Sequence, residues 1–160
     1  GKQLQPIGML VVLDSILNRI TQNRAKGRNT FIFIDEIYLL FQHEYSANFL
    51  FTLWKRVRKY GAYCTGITQN VDDLLQSHTA RTMLANSEFI IMLRQAKSLK
   101  ALERLYGLSK PQLEFLRNTS EGHGIIKMGN RMIPFSNLEL KDTAVYKLIT
   151  TKLGEVTAEV

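Results

Sequence analysis

Two adjacent carboxylates, Asp35 and Glu36, close the run Phe31-Ile32-Phe33-Ile34-Asp35-Glu36. Side by side, two acids can divide two tasks that phosphoryl transfer from a nucleotide requires. One holds the shell of a Mg²⁺ ion and the other polarises the attacking water. Asp35 suits the first task, through water, and Glu36 the second. Gln69, in Thr68-Gln69-Asn70, is a third candidate. A neutral amide beside such acids can sense a γ-phosphate or a water without adding charge. Arg58, in Lys55-Arg56-Val57-Arg58-Lys59-Tyr60-Gly61, is a fourth. A guanidinium there could stabilise transition-state charge across a ring interface, as an arginine finger does. Each candidate also has a plainer reading. The acids can simply end a buried strand, Thr68-Gln69-Asn70 can be a polar loop, and the basic run can be a solvated helix end that suits the helix dipole.

These residues need elements to hold them. Phe and Ile favour strands, and four apolar residues in a row predict a central strand buried on both faces. The acids then fall at its carboxyl end, where open α/β sheets place their ligands; the pattern is that of a Walker B motif. Before it, Met9, Val12, Leu13, Ile16, Leu17 and Ile20 recur at helical spacing, with Pro6 in the first turn and Gly27 at the exit. After it, a helix is expected over 44–59, with Ala47, Leu50, Phe51 and Trp54 inward; position 58 continues that stripe. Gly61 stops this helix, and a second strand is expected over 63–68. If the two strands are neighbours, Gln69 lies beside Asp35 and Glu36.

Further on, Asp72 or Asp73 opens a short helix and Ser77 or Thr79 caps another. A third buried strand is expected over 88–93. Helices follow over 98–106 and from Ser109-Lys110-Pro111 onward. Segments 122–128 and 131–135 form a hairpin around Gly129-Asn130. A last helix is expected near 143–149, before a tail to Val160. Alternation of strands and helices predicts an α/β fold: a mostly parallel sheet with helices on both faces and a C-terminal β-hairpin, in one domain over 1–160.

Composition narrows the class. The chain has 160 residues, 45% of them apolar, which allows a sizeable core. Mean hydropathy is −0.10, and no apolar run approaches bilayer length. One cysteine, Cys64, excludes an internal disulfide framework and reads as a small core residue. His43, His78 and His123 are scattered, without zinc spacing. A net charge of +7 allows nucleic acid, anionic lipid or an acidic partner without choosing among them.

One part of a nucleotide site is missing. The sequence contains no G-x-x-x-x-G-K-[ST] loop, and Gly1-Lys2-Gln3 resembles its end only superficially. The expectation is a C-terminal piece of a larger ATPase, inactive and without tight ATP or Mg²⁺ binding when alone.

Several motifs together resemble the motor domain of the large ATPases that energise conjugation and type IV secretion. They are Phe31-Ile32-Phe33-Ile34-Asp35-Glu36-Ile37-Tyr38-Leu39-Leu40-Phe41, Leu53-Trp54-Lys55-Arg56-Val57-Arg58-Lys59-Tyr60-Gly61, Thr65-Gly66-Ile67-Thr68-Gln69-Asn70-Val71 and Leu84-Ala85-Asn86-Ser87-Glu88-Phe89. Glu121-Gly122-His123-Gly124 and Pro134-Phe135 fit as well. The resemblance runs from about residue 8 to about residue 151. It implies an incomplete RecA-like motor domain related to DNA-translocating coupling proteins, with ATP and Mg²⁺ as cofactors of the full-length protein. It makes Asp35 and Glu36 the Walker B pair, Gln69 the strand-end sensor and Arg58 the arginine acting on a neighbouring subunit. It further implies hexamers or related oligomers at the cytoplasmic, inner face of the cell membrane. The implied partners are secretion-channel and coupling proteins, with DNA as a further candidate. The competing class is a non-enzymatic module of the same fold that docks protein or DNA.

Overall fold

The computed structural model describes residues 5–95, 97–137 and 143–149. The chain divides at Ser87/Glu88 into two compact units.

The first unit opens with α1 (Gln5–Ala25), whose chain reverses at Gly27, held at φ +65°, into β1 (Thr30–Ile34). A 3₁₀ turn (Ile37–Phe41) and α2 (Glu44–Arg56) follow. A second 3₁₀ turn (Val57–Tyr60) leads to β2 (Ala62–Gly66), then α3 (Val71–Gln76) and α4 (His78–Ala85). β1 and β2 pair in parallel, from Thr30 opposite Ala62 to Ile34 opposite Gly66. Ser77 caps α4, its hydroxyl accepting from the Ala80 amide at 3.2 Å.

Strand alternation decides which side chains enter the core. Ile32, Cys64 and Ala62 pack with Ile20 of α1 and with Leu53 and Val57. A second cluster joins Ile37, Leu50, Leu74, Ala80 and Met83. Ser46, fully buried, ties the first 3₁₀ turn to α2 by donating to the carbonyls of Leu40 (2.5 Å) and His43 (3.0 Å).

Two expectations are corrected here. β1 is not buried on both faces: Phe31 and Phe33 are 65% and 70% exposed. Among the described residues, α1 and α2 both lie against the face carrying Ile32, so the opposite face, where Phe31 stacks on Tyr63 at 5.1 Å, is open. Nor does Arg58 continue an inward stripe. Val57, whose amide still donates to the Leu53 carbonyl in the α-helical pattern, continues the buried series Ala47, Leu50 and Leu53, and Arg58, one residue on, is left on the surface. Gly61, in the left-handed region, then ends the turn, its amide donating to the Arg58 carbonyl at 3.2 Å.

The second unit contains β3 (Phe89–Leu93), α5 (Leu99–Tyr106), α6 (Lys110–Asn118), β4 (His123–Met128), β5 (Arg131–Ser136) and α7 (Ala144–Ile149). The hairpin expected around Gly129-Asn130 is present, with Met128 opposite Arg131. Its strands join β3 in an antiparallel sheet of order β3-β4-β5. The expected mostly parallel sheet is therefore not found among the described residues: the parallel pair β1-β2 and the antiparallel β3-β4-β5 are separate sheets. β3 is also exposed on one side, through Phe89, Ile91 and Leu93, while Met92 is buried. Gly124 is buried where any Cβ would strike the Met92 carbonyl and the Phe135 ring. Ser109 and Gln112 form a capping box at α6, the Ser109 amide donating to Gln112 Oε1 at 2.8 Å. The expected tail to Val160 lies outside the described residues.

Leu50 is fully buried at the centre of the first unit. Leu50→Ala is expected to cost about 2–5 kcal/mol, read from chemical denaturation.

Candidate functional site

The carboxyl edge of the parallel pair brings three of the four candidates together. Beyond Ile34 the two strands stay linked: the Ile67 amide donates to the Ile34 carbonyl at 2.8 Å, and the Ile37 amide donates to the Ile67 carbonyl at 3.0 Å. Asp35 and Glu36 form the short turn between those bonds. Gln69 follows two residues after Ile67, in a loop shaped by Thr68, whose hydroxyl accepts from the Asn70 amide at 3.0 Å.

Asp35 is exposed, and its Oδ1 accepts from the Glu36 amide at 2.9 Å. Its other oxygen has no protein partner. Glu36 is half-buried, with Oε2 shut from solvent and without a hydrogen-bond partner. Its backbone sits at φ 48°, ψ 44°, in the left-handed region. A non-glycine residue persists there at a cost, and such outliers gather at functional sites. Nothing in the residue types signals this strain. Gln69 is exposed, and its side-chain amide makes no hydrogen bond among the described residues.

Arg58 lies elsewhere. It precedes β2, so it stands at the amino edge of the pair, one strand length from the acids, about 15 Å at the usual rise. There it joins Arg24, Lys26, Arg28 and Lys59, all exposed. The α1 end and the 3₁₀ turn are tied by three contacts. The Thr30 amide donates to the Gly61 carbonyl at 3.0 Å, Asn23 Nδ2 donates to Thr30 Oγ1 at 3.0 Å, and Arg24 lies 5.0 Å over the Tyr60 ring.

Charge is thus segregated along the strands. Segments 15–34 and 45–71 contain no Asp or Glu, and segments 35–54 and 67–80 contain no Lys or Arg. The carboxyl edge carries Asp35 and Glu36, with Asp72 and Asp73 in the first turn of α3. No group of three or more His, Cys, Asp or Glu able to hold a metal occurs among the described residues. A Mg²⁺ ion here would take most of its ligands from water and phosphate, which matches a single exposed aspartate.

Cys64 is half-buried, and burial pushes its thiol up from 9.0 to about 11. It is a neutral core residue at physiological pH, as its place in the strand suggested. Tyr106, in the second unit, is likewise raised to about 12 by burial, and its hydroxyl has no partner. No helix among the described residues is long and apolar enough to cross a membrane.

Comparison with known proteins bears on the family and the fold. The family model described as the TraG P-loop domain matches residues 1–123. A solved structure of VirB4 from Thermoanaerobacter pseudethanolicus is similar, with a TM-score of 0.74 and 26% identity. The match covers 85% of this chain, and the chain spans 37% of that protein's length. No curated protein sequence matches significantly.

Glu36 carries backbone strain that glycine would not. Glu36→Gly is expected to stabilise the chain by about 1 kcal/mol, seen as a raised denaturation midpoint with an unchanged slope. An ordinary surface residue would show the reverse.

Proposed function

The chain belongs to the TraG P-loop domain family, among the ATPases of conjugation and type IV secretion, and on that premise we propose that it carries the hydrolytic edge of such a motor. The observation that supports this most is the carboxyl edge itself. It holds an exposed aspartate, a strained glutamate with an unpartnered oxygen and a free glutamine, with no cation in the segments that build it.

In this reading Asp35 holds the Mg²⁺ shell through water. The carboxylate fits that role, since one oxygen braces the turn and the other is open. Glu36 orients and polarises the attacking water. Gln69 senses the γ-phosphate from the adjacent loop. MgATP supplies the phosphoryl group and neutralises its developing charge. The phosphate cradle comes from another segment of a longer protein, since this sequence has no Gly-Lys-Ser/Thr loop. That segment would pack on the open face of Phe31, Phe33 and Tyr63, which are too large and apolar to stay wet.

Arg58 cannot serve the acids of its own subunit across the length of the strands. It serves those of a neighbour. A basic amino edge facing an acidic carboxyl edge is a heterologous contact, and such a contact closes into a ring where the rotation between subunits closes. The assembled protein then works at the inner face of the cell membrane with secretion-channel and coupling proteins. DNA is the further candidate partner, one of those that the net charge of +7 allows.

In the full-length protein, Glu36→Gln should keep ATP binding and lower turnover roughly 10²- to 10⁴-fold. Unchanged turnover would remove the catalytic assignment. Arg58→Ala should slow the assembled protein by roughly 10³-fold or more. Mixing the two inactive variants should restore part of the activity, because some interfaces then pair an intact Glu36 with an intact Arg58. Mixed oligomers as inactive as the parents would contradict action between subunits.

A further inference from the structure

We propose that Gly66 is a positioning residue for Glu36, acting through the side chain of Ile37; the proposal rests on the reading of Glu36 as the water-polarising acid. Gly66 is the last residue of β2, opposite Ile34. Its φ lies outside the left-handed region, so its backbone conformation does not call for glycine. Space does. A Cβ at position 66 would stand 2.6 Å from Ile37 Cδ1, 3.4 Å from Ile37 Cγ2 and 3.5 Å from Trp54 Cη2. Glycine within a strand commonly marks such a close approach. What approaches here is the residue that immediately follows Glu36.

Ile37 has little freedom to give way. It is 3% exposed and packed among Leu50, Leu74, Ala80 and Met83, with Trp54 against the same cluster. Trp54 is itself held, its Nε1 donating to Ser87 Oγ at 3.1 Å while Ser87 Oγ donates to the Met83 carbonyl at 3.0 Å. The Ile37 amide is fixed to the Ile67 carbonyl. Ile37 is therefore pinned by its backbone on one side and by its side chain on the other.

Glu36 sits between this pinned residue and the end of β1. Its own side chain makes no cap bond to the 3₁₀ turn, and Asp35 Oδ1 alone braces its amide. Strained conformations last only where the surroundings over-determine them. The Gly66–Ile37–Trp54 contact supplies that determination. A methyl group at position 66 would press on Ile37 Cδ1, and because that side chain is packed on its other sides the displacement passes to the Glu36–Ile37 backbone and moves the Glu36 carboxylate relative to the Gln69 loop. The same contact makes the end of β2, and so the loop bearing Gln69, a reporter of where Glu36 stands.

The test combines structure and rate. By NMR of this 18.4 kDa chain, Gly66→Ala should move the Glu36 and Ile37 backbone resonances and change the Glu36 HN–Hα coupling. Adding Ile37→Val, which removes Cδ1, should restore them. In the full-length ATPase, Gly66→Ala should lower kcat roughly 10- to 100-fold with KM for ATP unchanged. The double variant should recover most of that loss and exceed Ile37→Val alone, because the alanine methyl fills the space that Cδ1 leaves. A purely structural role would change the melting temperature without this split between kcat and KM. Unmoved Glu36 resonances, or a double variant no better than Gly66→Ala, would overturn the proposal. Should Gly66→Ala fail to fold, Ile37→Val alone must still perturb the Glu36 resonances; silence there would overturn it equally. If Glu36→Gln hydrolysed ATP normally, the catalytic reading would fail, while the NMR arm would still judge whether Gly66 positions Glu36.

Discussion

Two backbone hydrogen bonds through Ile67 hold the candidate site together. Its amide reaches back to Ile34 and its carbonyl accepts from Ile37. Asp35 and Glu36 have no other route between those points than a tight turn, so the strand pairing itself sets where both carboxylates stand. The same residue begins the loop that carries Gln69. One short stretch of ladder thus fixes three side chains relative to each other. The buried Ile37 and Ser46 lock the segment behind them. The strain at Glu36 follows from this arrangement: the ladder and the core hold both neighbours, and the residue between takes up the difference.

Much of this was legible in the residues. Alternation of apolar and turn-forming segments located every strand to within about two residues, and the parallel neighbours followed from the βαβ order. Ser77, the Ser109-Lys110-Pro111 start and the Gly129-Asn130 turn announced their elements through capping and turn chemistry. The edge holding Asp35, Glu36 and Gln69 was also legible, since acids cannot lie inside a buried strand. Other features were not. Phe31-Ile32-Phe33-Ile34 reads equally as a strand covered on one face or two, because periodicity in an all-apolar run records no direction. The inward stripe drawn through Ala47, Phe51 and Trp54 pointed to an inward Arg58; the series that is buried runs Ala47, Leu50, Leu53 and Val57, which puts position 58 outside. The antiparallel partner of β3 comes from more than thirty residues away, beyond the reach of local patterns. The left-handed Glu36 had no signal at all, since glycine or asparagine is the usual occupant. Gly66 was visible only as a glycine inside a strand, and its meaning needed the Ile37 contact.

The charge separation along the strands links the two levels. Five cations share the amino edge of the parallel pair, and the acids gather at its carboxyl edge. Two helix C-termini favour some of those cations through their dipoles. The excess has no acid within its own segments to answer it, and the proposed contact between subunits rests on that imbalance.

The central claim is that nucleotide chemistry happens at the carboxyl edge of β1 and β2. Paramagnetic broadening by Mn²⁺·ATP in the full-length protein tests it most directly. The account predicts strong broadening of the Asp35, Glu36 and Gln69 amides, with the Arg58–Gly61 amides broadened only when the protein is assembled. Broadening centred away from residues 35–36 and 68–70, or equal at both edges in a monomer, would contradict it.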